Sequence, residues 1–223
     1  MARRGALGVL AASATAMLAG CGSWGGSSYR YKMRVEVDTP AGPASGFAVR
    51  EIRRQANGTW FPFGESRPQA KVRGEAVAVD LPDGSIIFAL LRGNGGEVDY
   101  AKHIPVRAQI MQTNGPVELW PTHADDRRFR RSDPLPMLVT FRDIDDPASV
   151  EKVDPANLAA TFGEGVSLKR ITVELTDGPV TRGIEERLPW LPNVYENLRS
   201  KDFKPEGIPV GNFKKLFSTE LAQ

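Results

Sequence analysis

The chain has 223 residues, with 29 Lys and Arg against 27 Asp and Glu and a formal charge of +2, a near balance that offers no electrostatic excess for holding nucleic acid. Its single cysteine excludes an internal disulfide framework, so stability has to come from buried side chains.

The first element is a leader. Ala2-Arg3-Arg4-Gly5 is a short basic head, and Ala6 to Leu18 is an apolar run of about 13 residues, short of the ~20 that a spanning helix needs. It reads as the apolar region of a secretory signal, closed by the small pair Ala19-Gly20 where a peptidase has to grip the backbone. Leu18-Ala19-Gly20-Cys21 resembles the lipobox of bacterial lipoproteins at every position. The resemblance implies a diacylglycerol on the Cys21 thiol, removal of residues 1–20 and acylation of the new amino terminus. Two or three acyl chains hold a protein stably at a bilayer, at ~0.8 kcal/mol per buried CH2. The plainer alternative is an ordinary signal with a chance cysteine beside the cut. Gly22-Ser23 lacks the aspartate that retains lipoproteins in the inner membrane, so the resemblance points to the outer membrane, facing the periplasm. Arg3-Arg4 permits twin-arginine export, but Gly5-Ala6-Leu7 fits that signal poorly and the general secretory route is favoured. Without residues 1–20, 27 basic residues face 27 acidic ones, and the anchor rather than net charge would hold the protein at a membrane.

Residues 21–28 form a Gly/Ser-rich tether, in which Trp24 suits a lipid interface. Residues 29–191 read as a strand-rich domain and residues 192–223 as a proline-spaced tail packed on its surface. From Tyr29 to Val37 apolar and charged residues alternate, which predicts a strand with one buried face. Pro40 to Pro43 turns the chain, and Gly46 to Ile52 returns as a second strand, with a bulge near Ile52 where alternation breaks. Asn57-Gly58 marks a turn, and Pro62 restricts Trp60 to Phe63 to an edge. Ala70 to Leu81 follows as one strand whose register shifts at Gly74-Glu75. Pro82-Asp83-Gly84 is a turn, and Ile86 to Leu91 is a continuous apolar run, the most buried strand. Joined in this way, the four strands resemble an antiparallel meander.

Val98 to Ile104 predicts a short helix ended by Pro105, and Val117 to Trp120 a short strand. Met137 to Ile144 and Val166 to Leu175 are further strands. Asp146-Pro147 and Asp154-Pro155 carry helix-start chemistry, the second opening a helix through Phe162 and stopped by Gly163. Ile184 to Leu188 is one helical turn, and Phe203, Phe213 and Phe217 are isolated anchors in the tail. The expected fold is α+β, mainly antiparallel β-sheet with a few short helices in the C-terminal half. Leu138 to Asp143, Leu168 to Glu174 and Leu188-Pro189-Trp190-Leu191 resemble a family of small uncharacterised proteobacterial proteins. That resemblance implies a bacterial envelope origin and supplies no catalytic residues.

The densest charge run is Arg127-Arg128-Phe129-Arg130-Arg131, a candidate contact for a lipid phosphate or an acidic partner, although Asp125, Asp126 and Asp133 offset much of its field. The two histidines, His103 and His123, lack a nucleophile motif beside them. His123 with Asp125-Asp126 provides too few ligands for zinc. Asp143, Asp145 and Asp146 have alternate calcium-loop spacing without the loop glycine or the distal glutamate. Trp60, Trp120 and Trp190 suit sugar or peptide stacking if exposed and core packing if not. Asn57-Gly58-Thr59 matches a glycosylation sequon but reads more simply as a turn. No cofactor or metal is implied. The partners expected are the membrane through Cys21 and an envelope protein or anionic lipid. The leading reading is a lipid-anchored, non-enzymatic envelope component, and the alternative is a periplasmic hydrolase assembled from scattered Asp, Glu and His.

Overall fold

A computed structural model describes residues 28–55, 69–120, 133–198, 203, 205–209 and 211–220. Cys21, Trp24, Asn57-Gly58-Thr59, Trp60, His123 with Asp125-Asp126, and Arg127, Arg128, Phe129, Arg130 and Arg131 lie outside the described residues.

Strict alternation builds β1 (Ser28–Thr39), whose Tyr31, Met33, Val35 and Val37 are fully buried on one face. β2 (Gly42–Gln55) pairs with it without interruption from Thr39↔Gly42 to Ser28↔Arg53, so the ladder continues through Ile52 with no bulge. The inward residues of β2 are Ala48, Arg50 and Ile52, and Phe47 faces out, 51% exposed. Arg50 accounts for the apparent break in alternation near Ile52: a charge at a core position hides the period-two pattern that Ala48 and Ile52 keep.

The segment expected as one strand over 70–81 is two. β3 (Gln69–Arg73) pairs with β2, whereas β4 (Val77–Asp80) pairs with β5 (Ile86–Gly93). The chain changes sheets at Gly74, whose φ of +132° lies outside the range most side chains tolerate. With β6 (Val117–Trp120), β7 (Pro136–Phe141), β8 (Val150–Val153) and β9 (Ser167–Leu175), the sheets run β3-β2-β1-β9-β6 and β4-β5-β7-β8, antiparallel throughout. The expected four-strand meander is therefore divided between two sheets.

One core lies between the inner faces: Met33 and Val35 of β1, Ile52 of β2, Val79 of β4, Ile87 and Ala89 of β5, and Ile171 and Val173 of β9. A second core covers the opposite face of the second sheet. There Phe88 and Leu90 of β5 and Met137, Val139 and Phe141 of β7 meet Trp190, Leu191, Phe213 and Phe217. Both faces of β5 are thus covered, which explains its continuous apolar run. The tail phenylalanines are not isolated: Phe213 and Phe217 are fully buried, 5.3 Å apart, and Phe217 lies edge-on to Phe88 at 5.7 Å. Among the described residues beyond 191, Val194, Ile208, Phe213, Leu216 and Phe217 belong to the second core.

The short helices are α1 (Tyr100–Arg107), α2 (Ala159–Phe162), α3 (Ile184–Arg187), α4 (Val194–Leu198) and α5 (Phe213–Phe217). The fold is α+β, mostly antiparallel sheet with its helices mainly in the C-terminal half. Asp146 caps a single 3-10 turn by accepting from the Ala148 N–H at 3.0 Å. Asp154 likewise accepts from the Ala156 N–H at 2.9 Å, but this makes a turn, and helix begins only at Ala159. α1 runs two residues past Pro105 to Arg107 rather than ending at it. Proline removes the N–H that would reach the Ala101 carbonyl, and the Tyr31 hydroxyl donates to that carbonyl instead, at 2.6 Å.

Candidate functional site: a cation-rimmed apolar cleft

The cleft forms where the edge strand of the first sheet, the end of β5, α1 and α5 converge. Alternation on β3 turns Ala70 and Val72 toward it, β5 contributes Leu91 and Arg92, and the start of α1 adds Val98, Asp99, Ala101 and Lys102. Asn212, Lys215, Leu216 and Thr219 close the other side, giving a volume of about 380 Å³. That falls at the lower end of the ~300–1,000 Å³ of small-molecule sites.

The C-terminal wall is tied down. Thr219 and Gly74 exchange bonds: the Thr219 N–H donates to the Gly74 carbonyl at 3.0 Å, and the Gly74 N–H donates to Thr219 Oγ1 at 3.0 Å. The Ala76 N–H donates to the Phe217 carbonyl at 2.7 Å. Arg73 grips Glu220 through Nε at 3.0 Å and a second nitrogen at 2.9 Å. The Arg73 guanidinium holds the Glu220 carboxyl below the usual carboxylate range, against a smaller upward push from burial.

Charge on the cleft is unevenly satisfied. Lys102 pairs with Asp99 at 3.0 Å. Among the described residues Arg92 and Lys215 have no ion-pair partner, and Arg92 Nε is buried with no acceptor. A buried donor left unpaired costs about 1–3 kcal/mol, more when charged. Val98 stands at the mouth, 73% exposed. The arrangement can hold an anion beside an apolar wall.

A second polar group lies between the sheets. Arg50 is fully buried, donating from Nε to the Glu75 carbonyl at 2.9 Å and from a terminal nitrogen to the Ala89 carbonyl at 3.4 Å, with Met33 Sδ at 3.6 Å. Burial raises the Tyr31 phenol above its ordinary value and opposes the downward pull of Arg50, so the phenol stays a donor. Tyr100, also buried and raised well above its ordinary value, donates to the Pro134 carbonyl at 2.9 Å. Burial also raises the Glu75 carboxyl, against the Ile184 N–H that donates to it at 3.0 Å. Every one of these polar contacts ends on protein, and their work is to fix α1 and α3 against the sheets.

Of the residues singled out in the sequence that the structure describes, none lines the cleft, and His103 follows its Lys102 on α1. His103 is exposed on α1. Asp143 Oδ1 accepts from the Asp145 N–H at 3.0 Å and Asp146 caps its turn, and among the described residues no group of three or more metal-ligating side chains gathers. Trp190 is a core residue that donates from Nε1 to the Ile144 carbonyl at 2.7 Å, so it offers no free stacking face. For Trp120 only the backbone pairing, with Ile171, is described. Arg92 and Lys215 gave no signal in the sequence, because each is a single cation in an ordinary segment and only the fold sets them together.

Compared with protein-family models, with curated proteins and with solved structures, the chain finds no match.

Proposed function

We propose that the chain is a lipid-anchored component of the bacterial cell envelope, attached through Cys21, that binds a ligand or partner rather than catalysing a reaction. The observation that carries the anchor is Leu18-Ala19-Gly20-Cys21 directly behind an apolar run too short to span a bilayer. The observation that favours binding is the cleft, where apolar walls meet two cations without partners among the described residues. Acylation supplies residence at the membrane, and the folded domain supplies recognition. The outer membrane, facing the periplasm, is the proposed address, because the residues after Cys21 are Gly22-Ser23.

The test is metabolic labelling of a bacterial host with an alkyne-bearing palmitate, followed by separation of inner and outer membranes. The wild-type chain should carry label and sediment with the outer membrane, whereas Cys21→Ser should lose both label and sedimentation. Label that persists in Cys21→Ser, or a wild-type chain released unlabelled into the soluble fraction, would defeat the proposal.

A further inference from the structure

We infer that the cleft binds a single-chain anionic amphiphile, an acyl chain ending in a carboxylate or phosphate, taken up at the membrane surface. The inference rests on the binding reading above and names its ligand class.

Two halves of the cleft call for two halves of a ligand. Val98 is 73% exposed and Val72 is half-buried, and they stand over a floor formed by the buried Leu91 and Leu216, so the apolar surface still open to water is that of the two valines. Covering such surface is favourable by about 25 cal/mol per Å². Arg92 brings a buried Nε with no acceptor, and Lys215 adds a cation with no ion pair among the described residues. A guanidinium fork matches a carboxylate or phosphate in shape as well as charge. A hydrocarbon alone would leave Arg92 unsatisfied, and a bare anion would leave Val98 and the open part of Val72 wet. An amphiphile satisfies both.

The position of the cleft favours the membrane as the source. Ser28, where the described chain begins, pairs with Arg53, and Arg53 pairs with Lys71, which lies between Ala70 and Val72 on β3. Two strand spacings of ~4.8 Å put this row about 10 Å from the start of β1. Residues 21–28 span at most about 25 Å at ~3.5 Å per residue. A chain acylated at Cys21 therefore keeps this edge within reach of the bilayer.

Both cores lie between Tyr31 and Phe217, so the chain from Gly22 onward keeps every core residue, and it serves for titration calorimetry. The probes are dodecyl phosphate and dodecanoate below their micelle concentrations, with dodecanol as the chain-only arm. Inorganic phosphate and phosphatidylglycerol vesicles are the headgroup-only arms. The two anionic amphiphiles should bind one to one, and the three other probes should bind at least about tenfold more weakly, a difference of ~1.4 kcal/mol. Arg92→Gln and Lys215→Glu should each weaken dodecyl phosphate about three- to tenfold with the parent's melting temperature retained. Lys215 is exposed, so its variant carries the test alone if Arg92→Gln fails to fold. Dodecanol binding as tightly as dodecyl phosphate, vesicles or inorganic phosphate binding as tightly, or unchanged affinity in Lys215→Glu would overturn the inference. If neither anionic amphiphile binds while Cys21 is acylated in the cell, the ligand class falls and the anchored reading stands.

Discussion

The hydroxyl of Tyr31 donates to the carbonyl of Ala101 at 2.6 Å, the acceptor that Pro105 leaves without its usual helical donor. A buried side chain on a strand thereby completes a helix on another layer. This bond carries α1, and with it Ala101 and Lys102, to one wall of the cleft.

The bond has a measurable coupling. Tyr31→Phe should destabilise the fold by roughly 1–3 kcal/mol, because it strands a buried carbonyl. In a Pro105→Ala background, where residue 105 regains an N–H, the same change should cost at least about 0.5 kcal/mol less. Urea unfolding of the four proteins of the cycle measures this, and additive costs would contradict the compensation.

Glu75 predicts a pH dependence of definite sign. Burial raises its carboxyl in the folded state, so the fold binds the proton more tightly than the unfolded chain does. Its contribution is fully present at low pH and is lost as pH rises through the raised folded value. Glu220 has the opposite sign: held down by Arg73, it contributes above the unfolded value and is lost as pH falls through the lowered one. Glu75→Gln keeps an acceptor for the Ile184 N–H, so it should be more stable than the parent at pH 7, with the gap shrinking as pH falls through the raised folded value and levelling off below the unfolded range near ~4.3. A gap that is constant from pH 7 to pH 4 would contradict the assignment.

At Gly46 the backbone of β2 lies against that of β4 in the other sheet. A Cβ there would stand 1.9 Å from the Ala78 carbonyl oxygen, which is backbone and has little freedom to move. Gly46→Ala should therefore destabilise by about 3 kcal/mol or more. Gly211→Ala, with nothing within 4 Å, should change stability by less than about 0.5 kcal/mol. Thermal melts of the two variants decide, and equal melting temperatures would contradict the packing described.

How legible the fold was depended on how each strand is buried. β1 announces itself because its two faces differ, Tyr31 to Val37 inside and Arg30 to Glu36 outside. β5 announces itself because both of its faces are covered. β2 misleads because Arg50 occupies an inward position, satisfied by the Glu75 and Ala89 carbonyls that no local pattern places beside it. The change of sheet at Gly74 looks, in sequence, like a slip of register. The cleft was illegible for a further reason: Val72, Arg92, Lys102 and Lys215 come from four separate elements, and nothing in their spacing joins them. Sequence order highlights runs such as Arg127 to Arg131, whereas a site made by convergence shows no run at all.

The most direct measurement of the central claim is the mass of the N-terminal peptide of the protein purified from bacterial membranes. The account predicts a peptide that begins at Cys21 and carries a diacylglyceryl group on its thiol, with a further acyl chain on its amino group. A peptide that begins at any other residue, or at Cys21 with a free thiol, would contradict it.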